Sequence, residues 1–519
     1  MAGMELRRNN TTGIHSKGFG YDERTLTTKP VVFPEGLSAS TANNSRFAPY
    51  RKQIYENAFV SFFSTLSYTY DNRYTLFASL RYDGSNLFGV DPKYKYLPLW
   101  SFSGAWNVNR EQWMQGLTWL SNLKLRASYG IQGNVDKNTS PFVKGEWRTT
   151  SFFNGINEDI ITVLSPPNQK LRWEKTTTSN IGLDLGLLDN RISLILDYYY
   201  RNSDDLISVR SLPRENGFDF VNLNWGEVEN RGWELALSTT NIKTKDWTWT
   251  TTLNLSQNRS KVLRYNVRDN DYTPSLEGYP VNALFVIPTA GIDKNGLMTF
   301  RGADGEVKNY QELFKLSKGA FGDVISNITP AEFRSLFRYV GDRDPKLTGG
   351  LSSTLRYKSV DLSIYSNFFI NRWVTRTPFY HPTKVDPGVN YSRDILDVWS
   401  PDHTPGQYPK LLGSGTTTEM EEYAREWMGG YDPANTYSQY DIWAKRISYW
   451  RFSSIRLGYT LQGEEVGSDL FQQIRLTAEV RNPFVISSDY SGYFDPETYG
   501  NIYSQPVART YSVGINITF

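Results

Sequence analysis

The stretch YSVGINITF, residues 511–519, alternates without a break: Tyr511, Val513, Ile515, Ile517 and Phe519 fall on one side of an extended chain, Ser512, Gly514, Asn516 and Thr518 on the other. Successive side chains of a strand point to opposite faces, so this segment has one apolar and one polar face. Two kinds of protein use such a strand. One is a soluble sandwich with its polar face in water; the other is a membrane β-barrel with its apolar face in lipid and its polar face in a wet lumen.

The same alternation recurs upstream. Tyr74, Leu76, Ala78, Leu80 and Tyr82 form one row, and Leu123, Leu125, Ala127 and Tyr129 form another against Lys124, Arg126 and Ser128. Ile181, Leu183, Leu185 and Leu187 follow, then Trp247, Trp249, Thr251, Leu253 and Leu255. Val360, Leu362 and Ile364, then Ile455, Leu457, Tyr459 and Leu461, then Ile474, Leu476, Ala478 and Val480 repeat it. Periodicity by itself leaves both fold types open.

Connection lengths separate them. Tight turns fall at Asp71–Asn72, Leu188–Asn190, Asn241–Asp246 and Lys358–Ser359, with longer ones at Asn109–Ser121 and Gln462–Phe471. Between them lie long polar and aromatic connections near 9–56, 83–97, 131–172, 203–227, 262–346, 372–448 and 484–506. Strict alternation of short and long connections is the rule for outer-membrane barrels. The expected fold is therefore all-β, a transmembrane antiparallel barrel sheet of about fourteen strands, each of about 10–16 residues, enough to cross the bilayer when tilted.

Composition agrees and narrows the function. The 519 residues are 15% aromatic but only 39% hydrophobic, with a mean hydropathy of −0.50. Aromatic residues suit pleated surfaces. Lys and Arg total 56 against 54 Asp and Glu, a net charge of +2, which supplies no basic field for a nucleic-acid backbone. Zero Cys and three His (His15, His381 and His403) argue against thiol chemistry and metal centres. No Walker A motif, dinucleotide fingerprint or H-E-x-x-H occurs, so no cofactor, no metal and no enzyme activity are expected. Asp293-Lys-Asn295-Gly296 and Gly302-Ala-Asp304-Gly305 look superficially like calcium loops, but turn chemistry accounts for them better.

Several stretches, in order, resemble the SusC/RagA-type TonB-dependent outer-membrane transporters of Bacteroidetes: YDNRYTLFASLRYDGSNLFG (70–89), LPLWSFSGAWNVNREQWM (97–114), LSNLKLRASYGIQGN (120–134), EGYPVNALFVIPTAGIDKNGLMTF (277–300), VGDRDPKLTGGLSSTLRYKSVDLSIY (340–365) and SYWRFSSIRLGYTL (448–461). The terminal row ending in Phe519 also resembles the barrel-assembly signal of such proteins. The resemblance implies a 22-stranded barrel with a plug domain, TonB coupling through that plug, and a SusD-like surface lipoprotein as lid. It implies import of oligomeric nutrients, glycans or peptides. The first residues, MAGMELRRNN, lack the pattern of a secretory signal, and nothing like a plug is present. Residues 1–519 are therefore expected to be the C-terminal barrel portion, starting within a strand near Gly3–Arg8, with extracellular loops near 9–56, 131–172, 262–346 and 372–448. A stand-alone fourteen-stranded porin or receptor is the alternative, and a soluble β enzyme or adhesin a third. Candidate contacts for substrate or partner are the loop aromatics Trp147, Trp225, Trp373, Trp399, Tyr408, Trp427, Tyr431, Tyr437 and Trp443, whose flat rings suit sugars, peptides or a protein partner.

Overall fold

A computed structural model of the chain describes residues 1–29, 50–88, 92–137, 139–153, 156–320, 322–384, 388–403, 406–413, 418–431, 436–467, 471–488, 495–499 and 505–519. Fourteen strands form one sheet in which each is hydrogen-bonded to the next in chain order. They are β1 (Ala2–Ser16), β2 (Tyr50–Tyr70), β3 (Tyr74–Ser85), β4 (Tyr96–Asn107), β5 (Leu120–Asn134), β6 (Glu174–Leu187) and β7 (Ile192–Ser211). The second half comprises β8 (Phe220–Lys243), β9 (Trp247–Arg264), β10 (Leu347–Tyr357), β11 (Val360–Thr375), β12 (Ala444–Gln462), β13 (Gln473–Ser487) and β14 (Thr510–Thr518). Among the described residues, each of the two edge strands, β1 and β14, pairs on one side only. No helix among the described residues is long and apolar enough to cross a membrane.

The short turns work as their residues suggest. Asp71 and Asn72 take left-handed backbone at φ 50° and 52°, and Asp189 and Asn190 do so at 58°. Asp and Asn tolerate that conformation better than bulkier residues.

The opening stretch sits where its alternation requires. Tyr511 lies opposite Val480, Val513 opposite Ala478, Ile515 opposite Leu476 and Ile517 opposite Ile474. These pairs extend rows that cross several strands. One runs Leu355, Leu362, Leu457, Ala478, Val513; another runs Leu123, Leu185, Leu194, Leu237, Leu253, Leu351. The opposite face carries ions. Arg126 on β5 binds Asp184 on β6 at 2.7 Å and Asp197 on β7 at 3.0 Å, and Arg475 on β13 reaches Asp361 on β11 at 2.8 Å. Gly182 makes room for the first of these, since a Cβ there would lie 2.6 Å from the guanidinium carbon of Arg126. Charges on the hydrocarbon side of a barrel are destabilising by about 2–4 kcal/mol at mid-depth. The ionic face is therefore the wet one, and the leucine rows face lipid.

The paired strands run further than period-two alternation indicates. The connection expected at 203–227 shrinks to 212–219, because β7 and β8 stay paired as far as Ser211 opposite Phe220. Register shifts around Leu206, beside left-handed Asp205 (φ 56°), break the alternation and conceal the strand. Likewise Asn9–Thr12, expected to lie in a loop, pair with Asn57–Ile54 in β1 and β2. Polar residues on both sides of a strand leave no alternation to read.

Candidate functional site

The two longest connections, 265–346 and 376–443, fold on each other. Most of the described buried hydrophobic cluster lies here, around Ile287, Phe300, Phe314, Phe333, Trp427, Tyr440 and Trp443. Three capping boxes start its short helices: Asn309 with Glu312, Thr329 with Glu332, and Thr418 with Glu421. In each, side chain and backbone exchange hydrogen bonds that satisfy otherwise unpaired N–H groups. Main-chain bonds join the two connections, with the Ile287 N–H donating to Gln439 O at 2.9 Å and the Asp441 N–H donating to Ile287 O at 3.1 Å. Thr289 Oγ1 adds a 2.6 Å bond to Asp441 Oδ1. The calcium-like stretches are turns: Asp293 Oδ1 accepts the N–H groups of Asn295 and Leu297, and Asp304 accepts that of Glu306 and binds Lys308.

The expected contact aromatics divide by position. Trp427 and Trp443 are fully buried and Tyr437 nearly so. Trp427 stacks on Phe314 at 4.1 Å, and Trp443 stacks on Tyr408 at 5.3 Å. Burial removes those three from direct contact with a ligand, and their role is packing within the loop module. Trp399 lies over Gly296, whose φ of +84° and close ring contact both demand glycine, with Lys410 above the ring at 5.8 Å. Trp147 stands exposed on a hairpin of Lys144–Phe153 and Ile156–Ser165, opposite Ile161. Trp225 on β8 receives Arg210 at 5.2 Å and Arg264 at 5.5 Å over its ring. Tyr431 ends a π-helical turn, Trp427–Tyr431, and its side chain lies outside the described residues.

Trp373 occupies the position of most interest. It lies on β11, its indole over Gly341, where the backbone approaches too closely for any side chain. Beside it opens a cleft of about 990 Å³ between the loop module and the sheet, lined among others by Tyr265, Phe337, Arg343, Arg372, Trp373 and Tyr499. Glu497 of the lining pairs with Arg451 of β12 at 2.7 Å, and Arg451 also pairs with Asp495, both of these nearly buried. Arg376, also in the lining, pairs with Asp394. Sequence reading missed this arrangement. Its signals were present in the three capping boxes, whose Asn/Thr-x-x-Glu spacing marks helix starts inside a supposed loop.

Burial shapes the module's titrations. It pushes the Tyr380 and Tyr408 hydroxyls up, and pushes His381 down to about 4, with Lys384 adding to the effect on His381. Tyr380 donates to Pro409 O at 2.5 Å.

A meander of long strands with lipid-facing rows and a charged wet face defines a bacterial outer-membrane β-barrel. The chain belongs to the TonB dependent receptor-like, beta-barrel family, whose model matches residues 3–483. It is 29% identical to TonB-dependent receptor P26 of Formosa agariphila, across 100% of this chain and 51% of that protein. It is 27% identical to TonB-dependent receptor SusC of Bacteroides thetaiotaomicron, across 89% of this chain and 44% of the relative. Among solved structures, the RagAB peptide transporter shares the fold with a TM-score of 0.73 at 22% identity, covering 100% of this chain and 53% of that one. The chain thus spans about half the length of the curated relatives it matches.

Proposed function

We propose that this chain forms the wall and outer mouth of a TonB-dependent importer of oligomeric nutrients, glycans or peptides, working with a SusD-like lid lipoprotein. The carrying observation is the folded module of residues 265–346 and 376–443, with an aromatic and arginine-lined cleft between it and the wall. In this reading the long connections face the cell exterior and the short turns the periplasm. TonB acts through a plug supplied outside these residues. No covalent chemistry is required: cargo held at the mouth enters the lumen when the plug moves, and the residues here select and guide it. The relatives named SusC and RagAB support the reading, as does the pairing pattern among the described residues, in which β1 and β14 do not join each other as a stand-alone fourteen-stranded porin would need.

The test is deletion of the gene in its host, followed by uptake measurements with mixed fluorescent oligosaccharides and oligopeptides. Uptake should fall for one class, return on complementation, and depend on an intact TonB system. A surface lipoprotein should co-purify with the tagged native protein. Unchanged uptake of both classes after deletion counts against the proposal.

A further inference from the structure

The cleft beside Trp373 holds an imbalance of charge. Its lining includes Arg343, Arg372 and Arg376, against Glu497 as its carboxylate. Glu497 is already engaged by Arg451, and Arg376 by Asp394. Arg343 and Arg372 form no ion pair among the described residues. The carboxylates flanking Arg343 in sequence hydrogen-bond elsewhere and form no ion pair with it: Asp342 Oδ1 accepts the Asp344 N–H at 2.9 Å, and both Asp344 oxygens accept from Asn282 Nδ2 at 3.1 Å. Arg372 neighbours the Tyr449 hydroxyl, while its Nε is enclosed and makes no hydrogen bond. Two guanidiniums of one cavity lining are thereby left without a salt-bridge partner among the described residues.

Guanidiniums that form no salt bridge favour an anion that reaches them. Like charges in a walled cleft repel, and the walls focus their field on what approaches. A guanidinium presents a planar fork of N–H donors that matches a carboxylate in two parallel bonds. Tyr265, Trp373 and Tyr499 belong to the same lining, and aromatic rings offer flat apolar contact to an oligomer. Trp373 is fixed against Gly341, two residues before Arg343, and follows Arg372 directly in β11. The ring therefore ties both arginines to one rigid corner, where the turn after residues 338–342 meets the wall.

We infer that this cleft selects cargo bearing carboxylates, with Arg343 and Arg372 as the residues that determine specificity. The inference rests on the import reading for its biological setting but concerns binding, which can be measured separately. The shared chemistry is a carboxylate on an oligomer, whether a uronate of an acidic glycan or a side chain of an acidic peptide.

The experiment uses the full-length native protein, purified with its co-purifying lipoprotein. Binding is measured with four probes: tetragalacturonate and its methyl ester, and tetraglutamate and tetraglutamine. At least one acidic probe should bind tenfold or more tighter than its neutral counterpart, and the responding pair tells glycan from peptide. The preference should weaken steeply with salt. Arg343→Gln with Arg372→Gln should bring the acidic probe to the level of the neutral one measured on the same variant. Arg343→Lys with Arg372→Lys, retaining charge, should recover part of the preference and shows that the fold persists. Equal binding of acidic and neutral probes overturns the inference, as does failure of both acidic probes to bind, or a preference that survives the double glutamine variant. Acidic preference in a protein whose deletion leaves uptake unchanged would instead refute the import reading alone.

Discussion

At the residue scale, the aromatics of the loop module show how far side-chain identity reaches. Trp427 is fully buried, stacked on Phe314, with its Nε1 donating to Thr436 Oγ1 at 3.4 Å. Truncating such a residue removes burial and leaves a cavity, a loss of about 3–5 kcal/mol. Trp427→Ala should therefore loosen residues 265–346 and 376–443 while the sheet keeps its protection, which hydrogen exchange resolved by segment will show. Trp147→Ala, on an exposed hairpin, should change stability by less than about 0.5 kcal/mol. Sequence reading placed Trp147 and Trp427 in one group, because nothing adjacent to either records that Phe314, more than a hundred residues away, covers one of them. His381 gives a second test. Its Nδ1 accepts the Thr383 N–H at 3.4 Å and its ring packs edge-on to Tyr437 at 5.3 Å. Burial lowers its folded value from 6.5 to about 4, so between those two pH values the unfolded module binds more protons than the folded one. The stability associated with a neutral His381 is fully present above about 6.5 and is lost as pH falls towards 4. Tryptophan fluorescence of the module should report loosening across that window, and His381→Asn should remove that pH-dependent component.

At the scale of elements, the unit of information is the alternating strand. YSVGINITF and the rows from Tyr74 to Val480 all read correctly because a single register error would turn a whole apolar row towards water. The strands ended too early where Asp205 kinks β7, and where β1 becomes polar on both faces. A one-residue contrast on β9 tests the assignment of faces. Leu253 lies between Leu237 and Leu351 in a lipid-facing row, whereas Thr252 lies between Ser238 and Ser352 on the wet face. Leu253→Lys should cost about 2–4 kcal/mol and lower the folded fraction in membranes. Thr252→Lys should cost under about 1 kcal/mol, because the ammonium meets water in the lumen. Urea titration of the full-length protein in vesicles, followed by the heat-dependent gel shift typical of barrels, compares the two. Equal losses would mean that the faces are reversed or that the strand does not cross lipid.

For the whole molecule, the decisive feature is that fourteen strands make a sheet with two free edges. Among the described residues, β1 and β14 each leave one side of the strand without a paired neighbour. In hydrocarbon each such group costs several kcal/mol, which is why membrane sheets close. Closure by pairing β1 with β14 would give a narrow pore; closure through additional strands would give a wider wall, in keeping with relatives of about twice this length. The two routes are separable because the chain contains no cysteine, so introduced thiols have no competitors. Cysteine pairs can be placed along Gly3–Arg8 of β1 and Tyr511–Ile517 of β14 in the full-length protein, scanning each register. A disulfide requires Cα atoms within about 7 Å, a spacing that neighbouring strands satisfy and strands separated by further ones do not. We expect no cross-link in any register of the native protein, and efficient cross-links in a control pair at Ala478 and Val513, which already lie opposite each other. The 519 residues alone should likewise give no heat-modifiable band and no stable single-channel current. An efficient β1–β14 cross-link together with steady conductance from the 519-residue chain would establish the narrow pore. The mouth would then lead to a passive channel rather than to a plugged importer.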